Sequence, residues 1–332
     1  MLADIVIGLQ HGDEAKGKVT HHLCKTNKYT HVLRYNGGCN AGHTIYHGGK
    51  KFVTHHIPSG VFHGIKSVIG SGCVLSVEQF FKEIGELEDA GINTKGLVFV
   101  ANNTHVISKN HLDEDGKDTA IGTTKRGNGP AYRDKYNRKG TLARDVPELK
   151  DYLIDLYEEF HENGEVKVLC EGAQGFELDI DWGDYPYVTS SHCTAAGALL
   201  NAIPASWVRN VWGVGKVYET YVGAKSFEPD DPIFPALRDL GEEYGATTGR
   251  PRQCNWLDLD RLTKAIKVND VNMLVLNKTD VLSELGTYRL FSEGNEVALS
   301  SMQEMQKFIS ETIARQVKKP VLTFFSGRKD KI

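Results

Sequence analysis

What this chain lacks narrows its class first. No apolar run approaches the roughly 20 residues that a membrane-spanning helix needs. The six cysteines (Cys24, Cys39, Cys73, Cys170, Cys193, Cys254) include no C-x-x-C pair, which argues against a disulfide frame or a cysteine zinc site and for reduced thiols. Neither sign of charge is in excess: 39 basic residues stand against 43 acidic ones, so no general attraction to nucleic acid or membrane is expected. The start, Met1-Leu2-Ala3-Asp4, has no basic n-region or cleavage signal, which predicts no secretory peptide and a cytoplasmic protein. No internal repeat, low-complexity tract or clear linker is present, so residues 1–332 read as one domain. Hydrophobic and charged contents of 40% and 25% are those of a globular chain with a sizeable core.

What is present begins with the opening stretch. Ile5 to Gly8 read as a short strand buried on both faces, as in a parallel sheet. Gly12, four residues, then Gly17-Lys18 and the helical run Val19 to Leu23 complete a strand–glycine loop–helix unit. Such a loop lets backbone N–H groups approach phosphate oxygens while the lysine adds a point charge. Val19 stands where the usual phosphate loop has Ser or Thr for Mg²⁺. The loop carries its own carboxylates instead, Asp13 and Glu14. An acid beside phosphate repels it unless a metal screens it or it handles a proton.

Six further stretches carry chemistry. After a strand over His31–Tyr35, the cluster Asn36-Gly37-Gly38-Cys39-Asn40-Ala41-Gly42-His43-Thr44 reads as a loop where backbone approaches a ligand. Residues 121–140 read as a loop that joins Thr123 and Thr124 to four glycines and several basic residues, including Arg138, which suits an anion better than a core. A helix is predicted over Val146–Phe160, then a strand over Val166–Cys170 ending at Glu171-Gly172-Ala173-Gln174-Gly175, where open α/β sheets bind ligands. Residues 245–252 pair flexible Gly245, Ala246, Thr247 and Thr248 with Arg250 and Arg252, whose forks suit a small carboxylate substrate. Finally, a strand over Met273–Leu276 runs into Asn277-Lys278-Thr279-Asp280, an N-K-x-D guanine reader. Asp280 can accept from the N1–H and 2-amino groups of the base while the Lys278 stem lies along the ring. A helix over Met302–Val317 and a strand over Pro320–Phe325 lead to Ser326-Gly327-Arg328, a turn suited to capping the same base. The pattern predicts one large α/β domain around a mostly parallel, P-loop-like central sheet with long functional loops.

Taken together, six motifs in order resemble the adenylosuccinate synthetase family nearly end to end: residues 12–18, 38–44, 121–124, 171–175, 185–190 and 245–250. The chain is shorter than bacterial and eukaryotic members and nearer in length to archaeal and viral ones. The resemblance implies a two-step ligase in which GTP phosphorylates the 6-oxygen of a purine nucleoside monophosphate and L-aspartate then displaces that phosphate. It assigns Asp13 as the base, His43 as partner acid and charge stabiliser, and Lys18 as facing the GTP phosphates. Mg²⁺ would be held by Asp13 and the Gly42 carbonyl. Asn40, Thr124, Gln174, Thr189 and Val222 match positions at the monophosphate substrate, and Arg138 matches an arginine supplied across a homodimer. Thr247, Thr248, Arg250 and Arg252 match an aspartate loop. GTP would contact Gly12, Glu14, Ala15, Lys16, Gly17, Lys18, Thr44, Asn277, Lys278, Asp280, Ser326 and Gly327.

Three departures bear on the purine. His11 stands where Trp is common; Tyr221 replaces an arginine and Lys225-Ser226 a Gly-Pro pair; and Pro251 and Gln253 break a basic run. They cluster where sugar and aspartate loop meet, and favour dGMP, the substrate of a related viral branch, with IMP as the alternative. A regulatory GTPase would share the phosphate loop and guanine reader but has no need of Gln174 or the two-arginine loop.

Overall fold

The computed structural model describes residues 1–245 and 249–328; Thr247 and Thr248 lie outside them. In chain order the strands are β1 (Leu2–Gly8), β2 (His31–Arg34), β3 (His43–His47), β4 (Lys50–Thr54), β5 (Lys66–Ile69), β6 (Val74–Leu75), β7 (Val98–Ala101), β8 (His105–Val106), β9 (Leu153–Ile154), β10 (Lys167–Glu171), β11 (Val208–Lys216), β12 (Tyr218–Tyr221), β13 (Gln253–Asp258), β14 (Met273–Asn277), β15 (Tyr288–Ser292), β16 (Asn295–Leu299) and β17 (Leu322–Phe325). The helices are α1 (Lys16–Thr26), α2 (Val77–Asp89), α3 (Lys109–Asp115), α4 (Asn128–Tyr136), α5 (Ala195–Leu199), α6 (Ile233–Gly241), α7 (Leu259–Val268), α8 (Thr279–Leu285) and α9 (Met302–Val317).

Nine strands form one sheet in the order β17-β14-β11-β1-β10-β2-β5-β7-β9. Each neighbouring pair runs parallel. β1 lies between β10 and β11, with Val6 opposite Glu171 on one side and Gly8 opposite Val214 on the other. Parallel pairing puts every strand's carboxyl end on one edge, and the motifs read from the sequence follow those ends. The glycine loop leaves β1, the Asn40–His43 segment leaves β2, Gln174 follows β10, and Asn277 and Ser326 end β14 and β17. A second sheet, β12-β13-β15-β16, and the hairpin β3–β4 stand beside it. Because helices cover the central strands, Ile5, Val6 and Ile7 are almost fully buried, as an unbroken apolar run requires.

Two expectations fail. Residues 146–160 are not a helix. Pro147–Tyr152 form 3-10 turns, Leu153–Ile154 pair with β7 as the sheet's edge, and a wide turn covers Glu158–Glu162. Leu149 and Phe160 are buried at helix-like spacing, but the edge of the sheet competes for the backbone hydrogen bonds between them and wins. The basic stretch 121–140 is not all loop. It contains α4, whose Ala131 and Tyr132 are core residues, and the Tyr132 hydroxyl donates to the Gly72 carbonyl at 2.8 Å. α9 matches its expected limits, capped by the Ser301 side chain accepting from the Glu304 N–H. All six cysteines are free and buried, and no helix among the described residues is long and apolar enough to cross a membrane.

Candidate active site

The loop after β1 is wound by three departures from ordinary backbone within four residues: Gly12, Asp13 and Ala15 all have positive φ, at 87°, 60° and 70°. Left-handed residues alternating with N–H groups make an anion-binding concavity, and α1 starts immediately after it. Non-glycine residues at such angles cost about 1–2 kcal/mol each. The Glu14 carboxylate does not face that concavity. It is fully buried beneath it and accepts from the Gln10 and Gly12 N–H groups at 3.2 and 2.9 Å and from Lys16 Nζ at 2.6 Å. Gly8 and Gly175 make room for it, since a Cβ on either would come within 2.6 Å of its oxygens. Glu14 and Lys16 therefore brace the loop, and only their backbone is left for a phosphate. Asn277 braces it too: its side-chain amide donates to the Glu14 carbonyl at 2.9 Å, joining the guanine-reading motif to the phosphate loop.

Asp13 stands at the exposed tip. Its Oδ2 lies 2.9 Å from Arg252 Nε, and Oδ1 has no partner among the described residues. That ion pair is close but not aimed as a hydrogen bond. Arg252 also donates to Glu243 at 2.5 Å, so it is committed to two carboxylates inside the protein rather than waiting for a substrate. Glu243 is a hub that sequence reading missed. It accepts from Tyr218 at 2.6 Å and Lys216 at 3.2 Å, and Lys278 lies 3.6 Å away. Burial alone would raise its carboxyl, but Lys216, Lys278 and Arg252 hold it down at about 2. Lys278 itself donates to the Gly241 carbonyl at 2.6 Å.

A second hub lies at the ends of β2 and β10. Buried Glu171 accepts from Arg34 at 3.0 Å, from His43 Nδ1 at 2.6 Å and from the Ser59 N–H at 2.9 Å. Against the effect of burial, Arg34 and His43 keep its carboxyl down at about 2. Burial, followed by the Arg34 charge, lowers His43 to about 4, so the imidazole is neutral at pH 7. Nδ1–H then donates to Glu171 and Nε2 accepts from Arg34, 3.2 Å away. Both ring nitrogens of the buried His43 are thus engaged, one by Glu171 and one by Arg34. Arg34 and Glu171 were the legible clue: a charged pair ending two otherwise apolar strands.

The other expected residues fall into place unevenly. Gln174, at φ 57°, donates to Asn40 Oδ1 at 3.0 Å, while its own Oε1 is buried without a partner. Gly42 and Thr44 are half-buried at the start of β3, and a Cβ on Gly17 would lie 3.3 Å from the Thr44 carbonyl, so β3 is laid against the start of α1. Thr189 is half-buried, whereas Thr124, Val222 and Arg138 are exposed. Arg250 donates to the Gly223 carbonyl at 3.5 Å. Lys18 donates to Ser326 Oγ and the Gly327 carbonyl, both at 2.8 Å, tying α1 to the turn after β17. Asp280 accepts from the Arg328 N–H and Nε at 3.1 and 2.8 Å.

The three sequence departures prove to be one packed unit. His11 is buried with ring centroids 5.6 Å from Tyr221 and 4.9 Å from Phe227, and Lys225 Nζ lies 5.6 Å from the Phe227 ring. Gln253 accepts from the Phe227 N–H at 2.9 Å and donates to the Lys225 carbonyl at 2.8 Å. His11 faces Glu219 and Asp184 at 3.4 and 3.8 Å, and Lys225 and Arg261 supply counter-ions to Asp184.

The wound loop at the sheet's carboxyl edge, the Asn277–Asp280 segment braced to it and the Asp13–Arg252 pair at its tip thus lie together at the end of β1. The adenylosuccinate synthetase family model matches residues 5–163 and 146–327. The adenylosuccinate synthetase of Halothermothrix orenii is 41% identical over 85% of this chain and 78% of its own length, and that of Chlorobium phaeobacteroides 39% over 84% and 77%. A fully ligated adenylosuccinate synthetase from Plasmodium falciparum superposes with a TM-score of 0.84 at 29% identity, covering 96% of each chain. A cyanophage S-2L succinoaminodeoxyadenylate synthetase, bound to dGMP and dATP, shares the fold at TM-score 0.70 and 22% identity, over 93% of this chain and 99% of that one. The chain belongs to the adenylosuccinate synthetase family.

Proposed function

We propose that this chain joins L-aspartate to C6 of a 6-oxopurine nucleoside 5′-monophosphate with GTP, giving an N6-succino-purine nucleotide, GDP and phosphate. The observation that carries the reading is the meeting of the phosphate concavity and Arg252, from the aspartate loop, at Asp13, with Gln174, which donates to Asn40, packed against the adjoining Gly12. A purine 6-oxygen is a poor leaving group. Removal of the N1 proton by Asp13 builds charge on that oxygen, which attacks the γ-phosphorus as GDP departs. The aspartate amine then adds at C6, phosphate leaves with the oxygen, and the amine gives up a proton. For His43 to stabilise the moving phosphoryl group, its Nε2 must turn from Arg34 and carry a proton, taken up as phosphate charge arrives beside it while Nδ1–H stays on Glu171. Asp13, exposed and with Oδ1 unpartnered, fits Mg²⁺ together with the Gly42 carbonyl and phosphate oxygens. When bound, that ion screens charge between Asp13 and the phosphates. Guanine takes the place of Arg328, whose paired donors meet Asp280 as the edge of the base would. Arg138, exposed and at φ 61° after α4, extends toward a second subunit's site in a homodimer.

For the purine, the packed His11–Tyr221–Phe227 unit favours dGMP. Tyr221 is only 3% exposed, so a side chain that would be cationic in the usual family segment is neutral here and withdrawn from the sugar. IMP is the second reading, favoured by the 39–41% identity to relatives named adenylosuccinate synthetase. Phosphate release measured with GTP and Mg²⁺ across IMP, GMP, dGMP and dIMP, with and without aspartate, tests both levels. Turnover that needs purine and aspartate together supports the ligase; GTP hydrolysis indifferent to both overturns it. A higher kcat/KM for IMP than for dGMP overturns the dGMP preference alone.

A further inference from the structure

Away from the hubs, three histidines from distant parts of the chain converge. His21 lies in α1, His47 ends β3 and His63 ends the 3-10 turn Ser59–His63. Their ring centroids are 4.5 Å (His21–His63), 5.8 Å (His21–His47) and 6.0 Å (His47–His63) apart. Imidazoles sharing a tetrahedral ion at bond lengths of about 2.0–2.1 Å have ring centres about 5 Å apart. His63 Nε2 and His21 Nδ1 are already 3.0 Å apart, near the edge length of that tetrahedron. His47 makes no hydrogen bond among the described residues and is half-buried beside the Gly48-Gly49 turn; the ligating nitrogens of the three rings do not all lie within 4.8 Å of one another as they stand, so the His47 side chain must turn inward to complete a site. Burial, the neighbouring histidines and Lys25 hold His21 down at about 4, and burial lowers His63 too, so both are neutral and able to ligate at pH 7.

We propose that His21, His47 and His63 form a binding site for a divalent cation of the zinc class, with water as fourth ligand. Three imidazoles without a carboxylate select borderline-soft d-block ions over Mg²⁺, which keeps oxygen ligands. The site also has a consequence for the hub around Glu171. Each element that carries one of these histidines reaches the hub with its other end: β3 begins at His43, the 3-10 turn begins at Ser59, whose N–H donates to Glu171, and Gly17 of α1 lies against the His43 side chain. An ion here fastens together the three elements that frame His43.

Co²⁺ titration of the full chain without nucleotide or Mg²⁺ tests the proposal. One equivalent should give the intense visible absorption of four-coordinate Co²⁺, displaced by Zn²⁺ and unaffected by millimolar Mg²⁺. His47→Gln and His63→Gln, checked for folding by circular dichroism, should each weaken binding by about tenfold or more, since loss of a ligand costs at least what loss of its supporting hydrogen bond does. Asp13→Asn should leave the spectrum unchanged, which separates this site from the proposed Mg²⁺ site. His47 sits at a half-exposed strand end, so His47→Gln keeps the test readable should His63→Gln unfold. Only the weak bands of six-coordinate Co²⁺, or equal affinity in the parent and the folded histidine variants, would overturn it.

Discussion

Replacing Glu171 by glutamine keeps its shape and removes its charge, leaving Arg34 buried beside a neutral amide. Glu171 is held at about 2 against an ordinary value of 4.5. At about 1.4 kcal/mol per pH unit, that gap corresponds to about 3 kcal/mol of folding stability. Breaking a buried charge pair from one side costs about 3–5 kcal/mol by an independent route. The sign follows from proton binding. The folded carboxyl takes up a proton less readily than the unfolded one, so its contribution is whole above about pH 4.5 and is lost as the pH falls toward about 2. Lowered to about 4, His43 acts in the same direction between about pH 6.5 and pH 4. Urea unfolding followed by circular dichroism at pH 7 should place Glu171→Gln about 3 kcal/mol below the parent, with the gap narrowing as the buffer moves from pH 4.5 toward pH 2.5. A variant within about 1 kcal/mol of the parent at pH 7, with a gap independent of pH, would refute the claim that Glu171 is an ionised buried hub.

Other substitutions probe other parts. Ala15→Gly relieves a left-handed alanine at φ 70° and should add about 0.5–1 kcal/mol in the same urea assay, the strain relieved exceeding the added unfolded-chain entropy. Arg252→Lys keeps a charge but loses the fork that spans Asp13 and Glu243; a fall in kcat/KM for aspartate of about 10²-fold is expected in steady-state assays, with the KM for GTP little changed. His11→Trp and Tyr221→Arg, made singly and together, should be non-additive by about 0.5–3 kcal/mol in the ratio of kcat/KM for dGMP and IMP, because the two rings touch. Additive effects would mean that the departures drifted independently.

How far the sequence could be read depended on whether a residue's role was local. β1, β14 and α9 were legible because their patterns are self-contained: unbroken apolar runs that only a doubly covered strand accommodates, and a capped amphipathic repeat. Residues 146–160 were not, because helical spacing of Leu149 and Phe160 is also produced by turns that drop successive side chains into one core, and the β7 residues they pair beside lie 53 positions away in sequence. The hairpin β3–β4 was hidden behind a glycine-rich stretch that reads as loop up to Thr44. In the candidate site, the phosphate loop and N-K-x-D motif were readable from spacing alone. Glu243 and Lys216 were not, since a charged residue near a turn looks solvated until tertiary packing buries it. Glu14 illustrates the converse: its place in the loop suggested a carboxylate facing phosphate, and only the glycines at 8 and 175 reveal the room made for it underneath.

Rapid-quench measurement of succinylated product in Asp13→Asn, under single-turnover conditions with GTP, purine monophosphate, aspartate and Mg²⁺, addresses the chemistry head-on. If Asp13 removes the purine proton, the amide should slow product formation by at least about 10²-fold while the protein remains folded and binds GTP. Product formed at the parent rate would contradict it.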